Sequence, residues 1–439
     1  MPDIMMILGG LSHVLNGTTL RRLASIAEAL LSMTGRVTML GVSRWTESGG
    51  SYRTIQRFFN TAVDWGKVQW LIVREHLLDP GDVLLMAGDE VVVTKSGKKT
   101  YGLDRFFSSL YGKAVPGVCF LSLALISVRR GTSYPVRMEQ VVRERAPDSP
   151  KAVKKPTPGQ RGRPKGSGNR NRREMALSPY LRFVQGTIRA VLTLIGAELA
   201  VRYFLYDGAF GHNEALQMVR QTGLHLISKL RHDAALYFPY EGPYAGRGRR
   251  RKYGHKLDYR RIPERLLKSS SVDKGIRTGV YQMLMWHKCF PEPLNIVLVV
   301  KTHLRTGASA HVVLFSSDRE LPHDQLVHYY RLRFQLEFNF RDAKQYWGLE
   351  DFMVVKSTPV HNSANLALFM VNLSQALIRP LRAQCPALSV NDLKAGYRGR
   401  KYVHEAFKWL PKMPEPIVID QVMARVTQLG RINYAVGST

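Results

Sequence analysis

Four side chains in the stretch LPHDQLVHYYRLRFQLEFNFRDAKQYW (321–347) have types and spacing that could do chemistry. Tyr330, Arg333, Glu337 and Lys344 stand at i, i+3, i+7 and i+14. On a helix turning by about 100° per residue they fall within roughly 60° of one another. Arginine offers a bidentate fork, lysine a point charge, the phenol a neutral donor and the glutamate a hard oxygen ligand. Leu332, Leu336, Phe340 and Ala343 form an apolar stripe on one side, and Phe334 and Phe338 another on the opposite flank. Both flanks are expected to be buried, which a merely solvated charged face would not need. The plain alternative is a surface helix in which Arg333 and Glu337 give ordinary i, i+4 support.

The elements that must position such a group can be read around it. Pro322 suits the first turn of a helix, and no glycine interrupts the run before Gly348, so one helix is expected over the whole span. Two further acids stand where strands are expected. DVLLMAGDEVVVTKS (82–96) is apolar and β-branched, with Asp89 at its centre. A bare carboxylate there needs a partner or a metal, while Glu90 faces the other way. YGKAVPGVCFLSLALISVRR (111–130) reads as its hairpin or meander partner. VRYFLYDGAFGHNEAL (201–216) is a strand ending in Asp207, then a Gly-x-x-Gly turn and a helix from about His212. Open α/β sheets place chemistry at that end of a strand, though a simple capping or turn aspartate accounts for it equally.

The remaining chain divides by composition. Residues 1–78 read as helical, with Thr18 or Thr19 capping a helix through Leu20, Leu23, Ile26, Leu30 and Leu31. A second helix follows Gly49-Gly50, with Ser51 as N-cap. The pair resembles a helix-turn-helix that would offer Tyr52, Arg53, Thr54, Gln56 and Arg57 to a DNA groove; a small bundle with solvated basic side chains is the other reading. Residues 145–176 form a Pro/Gly/basic linker that cannot build a core. Within it Arg161, Arg163 and Lys165 flank a Gly and a Pro in a pattern close to an AT-hook core, suited to a narrow minor groove, or else a generic basic linker. Residues 234–320 look β-rich and carry GRGRRRKYGHK, whose Arg249 and Arg250 are expected to face phosphate. Trp286 is expected in the core, with base stacking as its alternative. A long helix and a polar tail follow from about 353.

Sixty-four Lys and Arg against 34 Asp and Glu give a net charge of +30 in 439 residues, which points to a polyanion, nucleic acid before membrane. The longest apolar run, Val115 to Val128, is too short to span a bilayer and reads as a buried strand. Three scattered cysteines give neither a zinc site nor a disulfide framework. The first residues lack a secretory pattern, so a cytoplasmic, nucleoid-associated protein is expected.

The spacing Y-x2-R-x3-E-x6-K followed by GLEDF (348–352) resembles the YREK signature of DDE transposases from bacterial insertion sequences, especially insertion-sequence families four and seven-hundred-and-one. The resemblance extends to Asp89 with its following K-S-G-K-K stretch, and to Asp207 with Phe210-Gly211. It implies an α/β, RNase H-like catalytic core, a mixed sheet flanked by helices. A β-rich insertion and an N-terminal helical DNA-binding domain accompany it. The implied division is 1–78 DNA-binding, 79–144 and 177–233 core, 145–176 linker, 234–320 insertion, 321–352 catalytic helix and 353–439 C-terminal helical region. Asp89, Asp207 and Glu337 would be catalytic and hold two Mg²⁺ ions, or Mn²⁺. Tyr330, Arg333 and Lys344 would grip phosphate near the element's 5′ end. The implied partners are double-stranded DNA, as terminal inverted repeats and as target, and a second copy of the chain once two ends are synapsed. A nuclease on the same fold without strand transfer, or a non-catalytic DNA-binding regulator or remnant, are the alternatives.

Overall fold

The computed structural model describes residues 4–46, 50–108, 111–143, 171–244 and 246–433. In chain order, helices α1 (Ile4–Leu8), α2 (Gly17–Ser32), α3 (Met39–Trp45), α4 (Tyr52–Asn60) and α5 (Trp65–His76) come first. Strands β1 (Leu84–Thr94), β2 (Asp104–Ser108), β3 (Lys113–Ser127) and β4 (Thr132–Val141) follow, then α6 (Pro179–Ile195), β5 (Tyr203–Leu205) and α7 (Asn213–Arg220). The β-rich part holds β6 (His225–Leu230), β7 (Leu236–Pro239), β8 (Tyr253–Lys256), β9 (Leu267–Asp273), β10 (Ile276–His287), β11 (Leu294–His303) and β12 (Ser309–Ser316). Helices α8 (His323–Leu332), α9 (Gln335–Trp347), α10 (Ser357–Leu381), α11 (Val390–Phe407) and α12 (Pro416–Val426) complete the chain. These form two compact units, one of residues 1–141, 190–200 and 334–439, the other of 142–189 and 201–333.

In the first unit β3 is the central strand. Its residues 117–127 pair antiparallel with the whole of β1, and it pairs also with β2 and β4. This is the partner expected for the Asp89 strand, and residues 117–127 of the apolar run are buried there. The helices form because local signals agree with burial. Asn16, rather than Thr18 or Thr19, caps α2, its side chain accepting the Thr19 N–H at 2.8 Å. Ser51 caps α4 as expected. Helix α10 is buried along most of its 25 residues and packs on α5 and β4. Its buried asparagines bond across to neighbouring elements. Asn362 Oδ1 accepts Trp65 Nε1–H at 2.8 Å, and Asn372 Nδ2 donates to Gln69 Oε1 at 2.6 Å and to the Pro135 carbonyl at 2.7 Å. Leaving such groups unpaired would cost about 1–3 kcal/mol each.

The second unit holds a large mixed sheet, ordered β5-β6-β12-β11-β10-β7-β8, with β9 also on β10. Only β5 and β6 run parallel, joined through α7; the other pairs are antiparallel. Lys274 and Gly275, both at positive φ, make the two-residue β9–β10 turn, the conformation whose twist suits a hairpin. Strands β7 to β12 lie within the stretch 234–320.

The stretch 321–347 differs from the single helix expected of it. Helix α8 stops at Leu332 and α9 begins at Gln335. Between them the Arg333 N–H bonds to the Tyr330 carbonyl at 3.3 Å and the Glu337 N–H to the Phe334 carbonyl at 3.1 Å, both i→i+3. The ladder tightens to 3₁₀ at the residues where the chain passes from one unit to the other. Neither Pro nor Gly marks the break, so composition carried no sign of it.

Candidate functional site

Helix α9 turns Leu336, Asn339, Phe340, Ala343 and Trp347 inward and leaves Glu337 exposed. Asn339 Nδ2 donates to Ser133 Oγ at 2.6 Å, tying the helix to β4. The first apolar stripe is therefore buried as expected. Phe334 and Phe338 are not: they are 48% and 36% exposed and stack edge-on against each other, so the second wall faces outward. Glu337 and Lys344, seven residues apart on α9, share one face. Tyr330 lies in α8 and Arg333 at its C-cap, with the guanidinium 6.0 Å from the Tyr330 ring centroid. A single helical face does not run through the break at 333–334.

Asp89 sits mid-strand in β1, opposite Ser122 of β3, and its Oδ1 accepts the Glu90 N–H at 2.9 Å. It is half-buried, whereas Glu90 points to the other face and is exposed, as the strand period requires. Helix α9 packs on β1, so the carriers of Asp89 and Glu337 are neighbours within the first unit. Asp207 belongs to the second unit, two residues past β5. Its Oδ1 accepts the Ala209 N–H at 2.9 Å, making it the cap of a single 3₁₀ turn, Gly208–Phe210. Phe210 stacks on Tyr206 at 3.7 Å, and His212 then caps α7 through the Ala215 N–H. Burial lowers the His212 pKa, which favours the neutral ring that accepts this bond.

As ligands, these three acids are oxygen donors of the class hard divalent cations take, and no imidazole or thiolate is among them. Among the described residues of either unit, no group of three or more His, Cys, Asp and Glu side chains stands together in a metal-binding arrangement. By donor chemistry each of these acids suits a hard divalent cation.

Helix α9 ends at Gly348, whose φ of 72° and close approach to Val37 exclude a side chain: a Cβ there would lie 2.3 Å from the Val37 Cβ. In the GLEDF segment that follows, Glu350 accepts an ion pair from Lys344 at 2.7 Å. Asp351 accepts the Val37 N–H at 2.9 Å and faces Arg36 at 3.3 Å. The motif marked out Lys344 but gave no hint of its carboxylate partner, which becomes adjacent only when the helix ends.

Basic side chains gather in both units. On α4, Ile55, Phe58 and Phe59 are buried while Tyr52, Arg53, Gln56 and Arg57 are exposed on the other face. In the second unit a cleft of about 1310 Å³ is lined by Arg249 and Arg250 together with Arg172, Arg173, Lys252 and Lys288. Trp286 lies in its wall, half-buried, with Lys252 Nζ 4.8 Å from its ring centroid and Tyr253 edge-on at 5.9 Å. It is neither a core tryptophan nor a free one. The run of arginines drew attention to Arg249 and Arg250; Arg172 and Lys288 come from segments remote in sequence and join them only through the fold. Arg161, Arg163 and Lys165 lie outside the described residues.

Residues 11–288, more than half of the chain, match the family model described as DDE superfamily endonuclease. The chain belongs to that family, whose members act on DNA and generally use divalent metal ions. The match contains Asp89 and Asp207 and ends before α8 and α9. No curated protein matches the sequence. Among the described residues, no helix is long and apolar enough to cross a membrane.

Proposed function

We propose that this protein is a cut-and-paste DNA transposase of a bacterial insertion sequence, with Asp89, Asp207 and Glu337 as its catalytic acids. The supporting observation is the placement of α9: the helix bearing Glu337 packs on the strand bearing Asp89, and both aspartates fall inside the family match. In this reading an RNase H-like core does the chemistry, the β-rich segment is an insertion that shapes DNA, and the N-terminal helices bind the terminal inverted repeats through Arg53 and Arg57. Two Mg²⁺ ions held by the three carboxylates would activate an attacking oxygen and stabilise the departing one.

The other residues bind and orient. Arg333 offers two parallel N–H donors to a phosphate, Lys344 a point charge and Tyr330 a neutral donor, which together would hold the 5′ end after cleavage. Arg249 and Arg250 would track the backbone. Cleavage frees a 3′-OH that attacks the opposite strand as a hairpin and, once water reopens it, attacks target DNA. Handling two ends together calls for a homodimer on DNA.

The test is a Mg²⁺-dependent reaction on labelled DNA carrying the element's own end, resolved on a denaturing gel. Wild type is compared with Asp89→Asn, Asp207→Asn and Glu337→Gln. Hairpin and joined products from wild type, lost in all three variants while DNA binding persists, are expected. Cleavage without joining would reduce the reading to a nuclease, and binding without any product would reduce it to a regulator.

A further inference from the structure

The segment that ends α9 is held by a cation from the strand that carries the first aspartate. Lys95 directly follows β1, where its N–H donates to the Pro116 carbonyl at 3.1 Å. Its ammonium donates to the Phe352 carbonyl at 2.7 Å and to the Glu350 carbonyl at 3.3 Å, and it lies 3.4 Å from the Phe352 ring centroid. One side chain thus binds two backbone carbonyls and an aromatic face of the same five-residue turn. From this contact Asp89 lies six residues back along an extended strand, about 20 Å. Glu337 lies ten residues back from the last residue of α9, about 15 Å of helix. Helix α9 and strand β1 are packed together, so the Lys95 contact ties the turn that ends the Glu337 helix to the end of the Asp89 strand.

We propose that Lys95 is a positioning residue of the catalytic centre, a strut that keeps the Glu337 helix at one setting against the Asp89 strand. The proposal rests on these two acids being catalytic, as set out above. The charged groups facing Lys95 are Glu350 and Asp351 from the turn and Arg36 from the α2–α3 loop. Burial is the largest influence on the ammonium and lowers its pKa to about 8, against the pull of Asp351 and Glu350. Above that pH the neutral amine keeps N–H donors but loses the charge-assisted part of both hydrogen bonds and the attraction to the ring. Arginine in its place would keep the charge.

Two variants test this, Lys95→Met and Lys95→Arg. On the DNA-free protein, amide exchange across 348–355 should quicken on the order of tenfold in Lys95→Met and stay near wild type in Lys95→Arg. In the cleavage reaction Lys95→Met should lower turnover on the order of 10²-fold, the loss typical of misplacement by about 1 Å. Its half-saturating DNA concentration should be unchanged. Wild-type turnover should fall as pH rises through about 8, and the Lys95→Arg profile should lack that fall. Unchanged exchange in Lys95→Met overturns the clamp whether or not the protein cleaves DNA. A Lys95→Arg profile that falls like wild type overturns it even where Lys95→Met fails to fold. If wild type cleaves nothing while the exchange arm behaves as expected, it is the transposase reading that fails and the clamp that stands.

Discussion

Replacing Lys394 with methionine should abolish a rise in stability expected of the wild type between about pH 7 and pH 10. Lys394 lies on α11 with 9% exposure, donating to the Leu30 carbonyl at the end of α2 and standing 4.7 Å from the ring centroid of Trp347. Burial first, and then the charge of Arg398, bring its pKa from 10.5 to about 7. The unfolded chain holds the proton up to pH 10.5, while the folded protein releases it near 7, so the unfolded state binds more protons in between. Stability therefore climbs with pH across that window, and the cost of the buried charge is complete below 7. At 1.36 kcal/mol per pKa unit the ceiling is about 5 kcal/mol. Methionine fills the same volume without the charge but leaves the Leu30 carbonyl without this donor, at about 1–3 kcal/mol independent of pH. Urea unfolding of both proteins at pH 6.5 and 9.5, followed by tryptophan fluorescence, measures the difference. The gap between variant and wild type should shift by several kcal/mol against the variant on going to the higher pH. Parallel pH dependences would refute the reasoning.

Other perturbations follow from the same geometry. Gly348→Ala must place a β-carbon at φ 72° and against Val37, and should cost about 2–4 kcal/mol in denaturant unfolding; a loss under 1 kcal/mol would mean the turn yields freely. Asp392 is fully buried. Burial raises its pKa, but hydrogen bonds from Asn433, Ser389 and the Ile432 backbone outweigh this and hold it near 2. Its contribution is complete above 3.8 and disappears as pH falls through 2. Asp392→Asn should accordingly lose about 2 kcal/mol at pH 7 and little below pH 2, and a loss independent of pH would contradict the assignment. Glu350→Gln releases Lys344 from its half-exposed ion pair, so stability should move by less than about 1 kcal/mol. DNA binding should tighten and its salt dependence steepen by about one counterion. An unchanged affinity would show that Lys344 does not meet phosphate.

The placement of the candidate acids was legible where it depended on residue type in a local pattern. An aspartate in a β-branched run lies in β1 with Glu90 turned outward, because alternation along a strand is a property of the backbone. A second aspartate after an apolar strand caps the turn before α7 by accepting the Ala209 N–H, and Gly211 lies too close to the Lys229 backbone carbonyl to carry a side chain. The helical character of 321–347 was legible too, but not its break at Arg333–Phe334, nor the exposure of Phe334 and Phe338. Periodicity reports which residues could share a face; it does not report whether the ladder stays straight.

By itself, then, the sequence determined the identity of the candidate acids, the strands and helices that carry them, and a charge balance suited to a polyanion. Tertiary structure alone decided what those groups touch. It brought Lys344 to Glu350, Lys95 to the turn after α9, and Arg172 and Lys288 to the arginines at 249 and 250. Local order arises from hydrogen bonds and side-chain alternation over a few residues and is written within them. Contacts between segments tens to hundreds of residues apart exist only once burial has chosen which surfaces meet.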